Sequence, residues 1–126
     1  MVLVDTCGWI EWLTDGPLAD RFAPHMADQT ALVVPTLLQF ELYRWLCRER
    51  DEGFALDVIG VTAQGRVVPL DSPLALLAGD LSARHRLAMA DACIYATARQ
   101  AGVELVTSDA HFQGLPGVVL FPRKGP

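Results

Sequence analysis

Four acids lie inside or directly after apolar segments: Asp5 in VLVDT, Glu41 in LLQFELYRWL, Asp91 in LAMADACIYATA and Asp109 in LVTSDAHF. An unpaired acid in such a setting costs several kcal/mol unless something compensates it. Two of them follow strand-like runs and two sit on helix-like segments, and acids placed this way usually face one another across a pocket. A divalent cation is the usual compensation. An all-oxygen set suits Mg²⁺ or Mn²⁺, and ligands of zinc type are missing from it. Such an ion makes water nucleophilic and stabilises an anionic transition state, and phosphodiester hydrolysis needs both.

Each acid also has a plainer reading. Asp5 and Asp109 are both placed to cap a helix that follows a strand, with Ser108 as a second candidate cap. Glu41 borders the apolar stripe of Leu37, Leu38 and Trp45, and Arg44 and Arg48 at i+3 and i+7 could pair with it. Asp91 has Leu87, Ala88, Ile94 and Tyr95 at helical spacing and is also a first-turn acid favoured by the helix dipole. No single acid decides the matter. Their convergence on one edge of one architecture does more.

That architecture comes from the alternation of elements. Strands are expected at 2–4, 31–34, 67–70, 103–107 and 118–121. Helices are expected at 9–13, 17–28 with Pro17 in the first turn, 35–50, 54–64, 73–86 after a cap at Asp71 or Ser72, and 89–101 ending at Gly102, with about one turn at 109–113. Pro69 favours an edge position for the third strand. Continuously apolar strands alternating with helices imply a mostly parallel sheet between helices, one α/β domain over residues 1–126. Ligands of such sheets bind beyond the carboxyl ends of the strands, where Asp5 and Asp109 lie.

Composition narrows the class. Among 126 residues, 52% are apolar, but no run approaches a membrane span, and the start MVLVDT lacks signal-peptide features, so a cytoplasmic location is expected. The net charge of −5 argues against nucleic-acid binding by bulk charge. The cations are nonetheless nine arginines against the single Lys124, clustered as Arg44, Arg48 and Arg50 and as Arg84 and Arg86 around His85. Arginine is the better phosphate fork, which makes Arg44, Arg48, Arg84 and Arg86 phosphate-contact candidates, against surface ion pairs as the alternative. Cys7, Cys47 and Cys93 match no disulfide or zinc pattern and read as reduced thiols. His25, His85 and His111 share no ligand spacing and are expected at the surface. An aspartyl-phosphate mechanism lacks its general acid, because Cys7 stands two residues after Asp5. Serine-nucleophile and Gly-rich phosphate motifs are absent.

VLVDTCGWIEWL, FELYRWL, ADACIYATA and LVTSDAHF, in this order and spacing, resemble the PIN-domain ribonucleases, in particular the single-domain VapC-type toxins of bacterial toxin–antitoxin pairs. The resemblance runs from residue 2 to about residue 121. It implies a three-layer sandwich with a five-stranded, mostly parallel central sheet, and places the family's acids on Asp5, Glu41, Asp91 and Asp109. Asp5, Asp91 and Asp109 would hold the metal, directly or through water, and Glu41 would position the attacking water or share a second ion. Thr107, in the T-x-D arrangement, and Thr6 would support the site. Cys7 departs from the Ser that relatives often carry.

The implied activity is Mg²⁺- or Mn²⁺-dependent endoribonuclease cleavage, often at one tRNA or rRNA site. The implied partners are a second copy in a homodimer and a small antitoxin whose arginine-bearing C-terminal tail enters the acidic pocket. The alternatives are a non-catalytic RNA-binding or scaffold domain and a DNA-directed or structure-specific nuclease with the same site.

Overall fold

The computed structural model describes residues 1–123; Lys124 lies outside them. Five strands form, β1 (Val2–Val4), β2 (Val33–Pro35), β3 (Arg66–Val68), β4 (Glu104–Thr107) and β5 (Val118–Leu120), and every pairing among them is parallel. The helices are α1 (Thr6–Thr14), α2 (Ala19–Met26), α3 (Thr36–Glu49), α4 (Glu52–Thr62), α5 (Ser72–His85) and α6 (Met89–Ala101).

The strands pair as a three-stranded sheet in the order β1-β4-β5 and a two-stranded sheet β2-β3, joined by a single parallel bridge between Val2 and Leu32. The expected sheet of five strands thus has a seam. Its cause is local. Asp28 Oδ1 accepts from Thr30 N at 3.0 Å and from the Thr30 hydroxyl, capping a 3₁₀ turn over Gln29–Ala31. That turn takes up the start of the apolar run expected to pair, so Leu32 alone reaches β1 and β2 begins at Val33.

Other departures have similar causes. α1 is longer than the expected 9–13 because Asp5 caps it immediately after β1. Pro17 falls outside α2, which instead contains Pro24 near its end. Pro35 closes β2 and serves as the N-cap position of α3. β3 is an edge strand, as expected, but ends at Val68 before Pro69.

The core lies where strands meet helices. Leu3, Val4, Val33, Val34, Leu105 and Val106 are buried, as is every residue from Ala92 to Cys93 and on through Ala98 in α6. The small side chains of α6 let it lie against both β2 and β4. It stops at Gly102, whose φ of +69° is the left-handed conformation that favours glycine. α1 approaches β1 more closely still. A Cβ on Gly8 would sit 2.5 Å from Val4 Cγ1 and 2.6 Å from the Phe22 ring, both of them buried. Gly8 is therefore the contact point of β1, α1 and α2.

Replacing Gly8 by alanine would normally favour a helix. Here Gly8→Ala should instead destabilise the protein by about 1–3 kcal/mol through overpacking, read as a lower urea midpoint. An unchanged or higher midpoint would show that Val4 and Phe22 yield freely.

Candidate active site

Asp5 continues β1 by one residue, its N–H bonding to Val106 O at 3.0 Å, and then turns the chain into α1. Its Oδ1 accepts from Thr6 N at 2.8 Å, which makes it the cap of α1. Its Oδ2 accepts from the Thr107 hydroxyl at 2.8 Å and is 3.7 Å from Cys7 Sγ. The residue is 5% exposed. Burial pushes its pKa up from 3.8 to about 6; the Thr107 and Thr6 bonds act against that, and the charges of Glu41 and Asp91 add to it.

Thr107 ends β4 and is fully buried. While donating to Asp5, its Oγ1 accepts from Asp109 N at 3.0 Å, so one hydroxyl joins the two strand-end acids. Asp109 caps the 3₁₀ turn Ala110–Phe112 by accepting from His111 N at 2.9 Å. Capping and site-building are therefore not alternatives for Asp5 and Asp109; each does both.

Glu41 projects from α3, and its Oε1 accepts from the Thr6 hydroxyl at 2.8 Å. The arginine partner considered from sequence does not reach it: Arg44 is exposed, and Arg48 pairs with its neighbour Glu49 at 3.0 Å. Burial raises the Glu41 pKa, with Asp91 and Asp109 adding to the effect and Thr6 opposing it. Asp91, in the first turn of α6, is likewise pushed up by burial and by Asp109, against the pull of His111.

Asp5, Thr6, Glu41, Asp91 and Asp109 line one cleft of about 330 Å³. Ligand atoms of Asp91 and Asp109, from its lining, and of His111, which is exposed beside them, lie within 4.8 Å of one another. His111 Nδ1 is 3.3 Å from Asp91 Oδ2 and 3.3 Å from Asp109 Oδ1. The tightest group of candidate donors thus contains a histidine expected only at the surface, while Asp5 stands deeper, its oxygens already engaged. The signal was available: His111 lies two residues past Asp109, on the turn that Asp109 caps.

Donor chemistry fits a divalent cation. Carboxylates and one imidazole crowd together, and among the described residues no lysine or arginine forms an ion pair with any of the four acids. Of the phosphate-contact candidates, Arg44, Arg48, Arg84 and Arg86 are all exposed, but none lines this cleft; Arg123, just beyond β5, does. Cys7 holds the place next to Asp5 with long sulfur contacts, 3.5 Å to Thr107 Oγ1 and 3.4 Å to Ser108 N, and burial followed by the Asp5 charge pushes its thiol pKa up. A wider cleft of about 660 Å³, lined by Ser108, Gln113 and Leu120, adjoins it through Cys7, Asp109 and Arg123.

The family description "PIN domain" matches residues 2–118. Curated proteins gave no match. Solved structures similar to this chain include a toxin–antitoxin complex from Klebsiella pneumoniae, with TM-score 0.83 and 21% identity over 98% of this chain and 100% of that one. A DNA-bound VapBC from Salmonella typhimurium has TM-score 0.72 and 20% identity over 97% of this chain and 98% of that one. VapC20 from Mycobacterium tuberculosis, a sarcin–ricin loop cleaving toxin, has TM-score 0.70 and 18% identity over 82% of this chain and 85% of that one. At these identities the likeness is one of fold.

The buried Asp5 predicts a pH dependence. With a folded pKa of about 6 against 3.8 unfolded, the native state holds the extra proton between those values, so stability falls as pH rises through that window. The penalty is absent below the unfolded pKa and complete above the folded one, on the order of 3 kcal/mol. Urea unfolding in EDTA should therefore show Asp5→Asn gaining on the wild type from pH 4 to pH 7. A gap that stays constant with pH would rule out the raised pKa.

Proposed function

The chain belongs to the PIN-domain family, and we propose that it is a metal-dependent endoribonuclease, the toxin of a toxin–antitoxin pair. The observation that carries this reading is the convergence of Asp5, Glu41, Asp91 and Asp109 on one cleft beyond the ends of β1 and β4. We read the two sheets as one five-stranded surface, β3-β2-β1-β4-β5, with the Val2–Leu32 bridge as its seam, and the chain as one domain. Right-handed crossovers then carry the chain to opposite faces from β1 and from β4, giving three layers with a switch point between those strands. Asp5 and Asp109 flank that point.

Asp91 and Asp109 would hold Mg²⁺ or Mn²⁺, with Asp5 bound directly or through water. Such an ion activates water and neutralises charge gathering on the phosphate. Thr107 fixes Asp5 and the Asp109 backbone relative to each other. Thr6 holds one oxygen of Glu41, and the other has no protein donor among the described residues, leaving it to orient a water. Arg44, Arg48, Arg84 and Arg86, all exposed, would contact RNA phosphates outside the cleft, with Arg123 at its edge.

The structural neighbours support a toxin reading. One is a toxin–antitoxin complex and another a toxin that cleaves the sarcin–ricin loop. An RNA substrate of tRNA or rRNA type, a homodimer, a cytoplasmic setting and a small antitoxin follow from the same reading. An arginine on the antitoxin tail would satisfy the acids as a cation does, through charge-assisted hydrogen bonds. No helix of the described residues is long and apolar enough to cross a membrane.

Purified protein with Mg²⁺ or Mn²⁺ should cut RNA in preference to DNA. Asp5→Asn and Asp91→Asn should each lower the rate by at least about a hundredfold, as loss of a transition-state contact of several kcal/mol does. Equal cleavage in EDTA would overturn metal dependence. Expression without a partner should arrest growth and expression of Asp91→Asn should not; a harmless wild type would favour the non-catalytic alternative.

A further inference from the structure

We propose that the His111 imidazole is itself a ligand of the metal and tunes the site toward Mn²⁺ over Mg²⁺. The inference rests on the metal-dependent reading above but assigns a role to a residue outside the four acids. His111 Nδ1 stands 3.3 Å from Asp91 Oδ2 and 3.3 Å from Asp109 Oδ1. Ligand atoms around a small divalent ion with bonds of about 2.1 Å stand roughly 3–4 Å apart, so the imidazole is already at ligand spacing from each carboxylate. All three lie within 4.8 Å of one another, and Asp5 is outside that group.

The turn that carries His111 is anchored on Asp109. His111 N donates to Asp109 Oδ1 at 2.9 Å, so the turn that presents the carboxylate also presents the imidazole. The side chain is 75% exposed, which leaves it open to solvent and to an arriving ion. Ligation uses the neutral ring with its proton on Nε2, which leaves the Nδ1 lone pair for the ion. Imidazole binds transition-metal ions far better than Mg²⁺, which prefers carboxylate and water oxygens. Replacing one water of an all-oxygen set by Nδ1 therefore favours Mn²⁺. The rival account is a plain surface ion pair between a protonated His111 and the two acids.

Pulsed electron paramagnetic resonance of Mn²⁺ bound to the intact protein separates these. The wild type should show modulation from one directly bonded ¹⁴N, which ¹⁵N-histidine labelling shifts and His111→Ala abolishes. By calorimetry, His111→Ala should weaken Mn²⁺ binding at least tenfold and Mg²⁺ binding less than threefold. Mn²⁺ bound to the wild type without nitrogen modulation, or equal affinity in the variant, overturns the role of His111 and leaves the carboxylate site standing. A wild type that binds neither ion overturns both, and retained Mn²⁺ binding by Asp91→Asn at wild-type strength places the ion elsewhere.

Discussion

Thr107 Oγ1 donates to Asp5 Oδ2 at 2.8 Å and accepts from Asp109 N at 3.0 Å, so a single buried hydroxyl ties the ends of two neighbouring strands. Much of the site depends on it. Asp5 is almost wholly removed from water, and a carboxylate there persists only because donors from α1 and β4 converge on it. The same hydroxyl sets the backbone of Asp109, whose cap on the following turn then sets His111. From β1 to the backbone of His111, each group is fixed by the one before it. A hydrophobic residue at 107 would fill the space and break the chain of contacts at its first link.

The charge pattern follows from that rigidity. Glu41, Asp91 and Asp109 are held near Asp5 by elements whose positions the core decides, and they cannot turn away to water at will. Burial and mutual repulsion raise the pKa values of Asp5, Glu41 and Asp91 together. A protein stable in this state carries stored electrostatic cost, which a bound cation relieves. The crowding of negative charge is thus a property of the packing as much as of the acids themselves.

Much of this was legible in the residues. Asp5 and Asp109 follow apolar runs, and both a cap and a site group were readable at those positions because the two roles use the same carboxylate. The helix from Met89 to Ala101 and its stop at Gly102 were plain from small residues and a terminal glycine. Glu41 was placed correctly on α3, but its partner was not. Arg44 is exposed and makes no ion pair with it among the described residues, whereas Thr6, distant in sequence, donates at 2.8 Å. Helical spacing reports neighbours on one helix and says nothing of the element across from it. The 3₁₀ turn at Gln29–Ala31 was hidden for another reason: Ala31 extends an apolar run whose composition suits a strand, and the Asp28 cap overrides it.

The Val2–Leu32 bridge is a single rung between two ladders. On one side of it, β2 leads into α3 and so carries Glu41; on the other, β1 and β4 carry Asp5 and Asp109. The cleft is therefore assembled from two panels that meet at an expansion joint rather than cut from one plate. Hydrogen-bonded strands resist shear, but across this joint the backbone supplies little of that stiffness. The Thr6–Glu41 bond at 2.8 Å and the core packing behind it act as the latch, so the spacing of Glu41 from the strand-end acids depends on side chains rather than on the sheet.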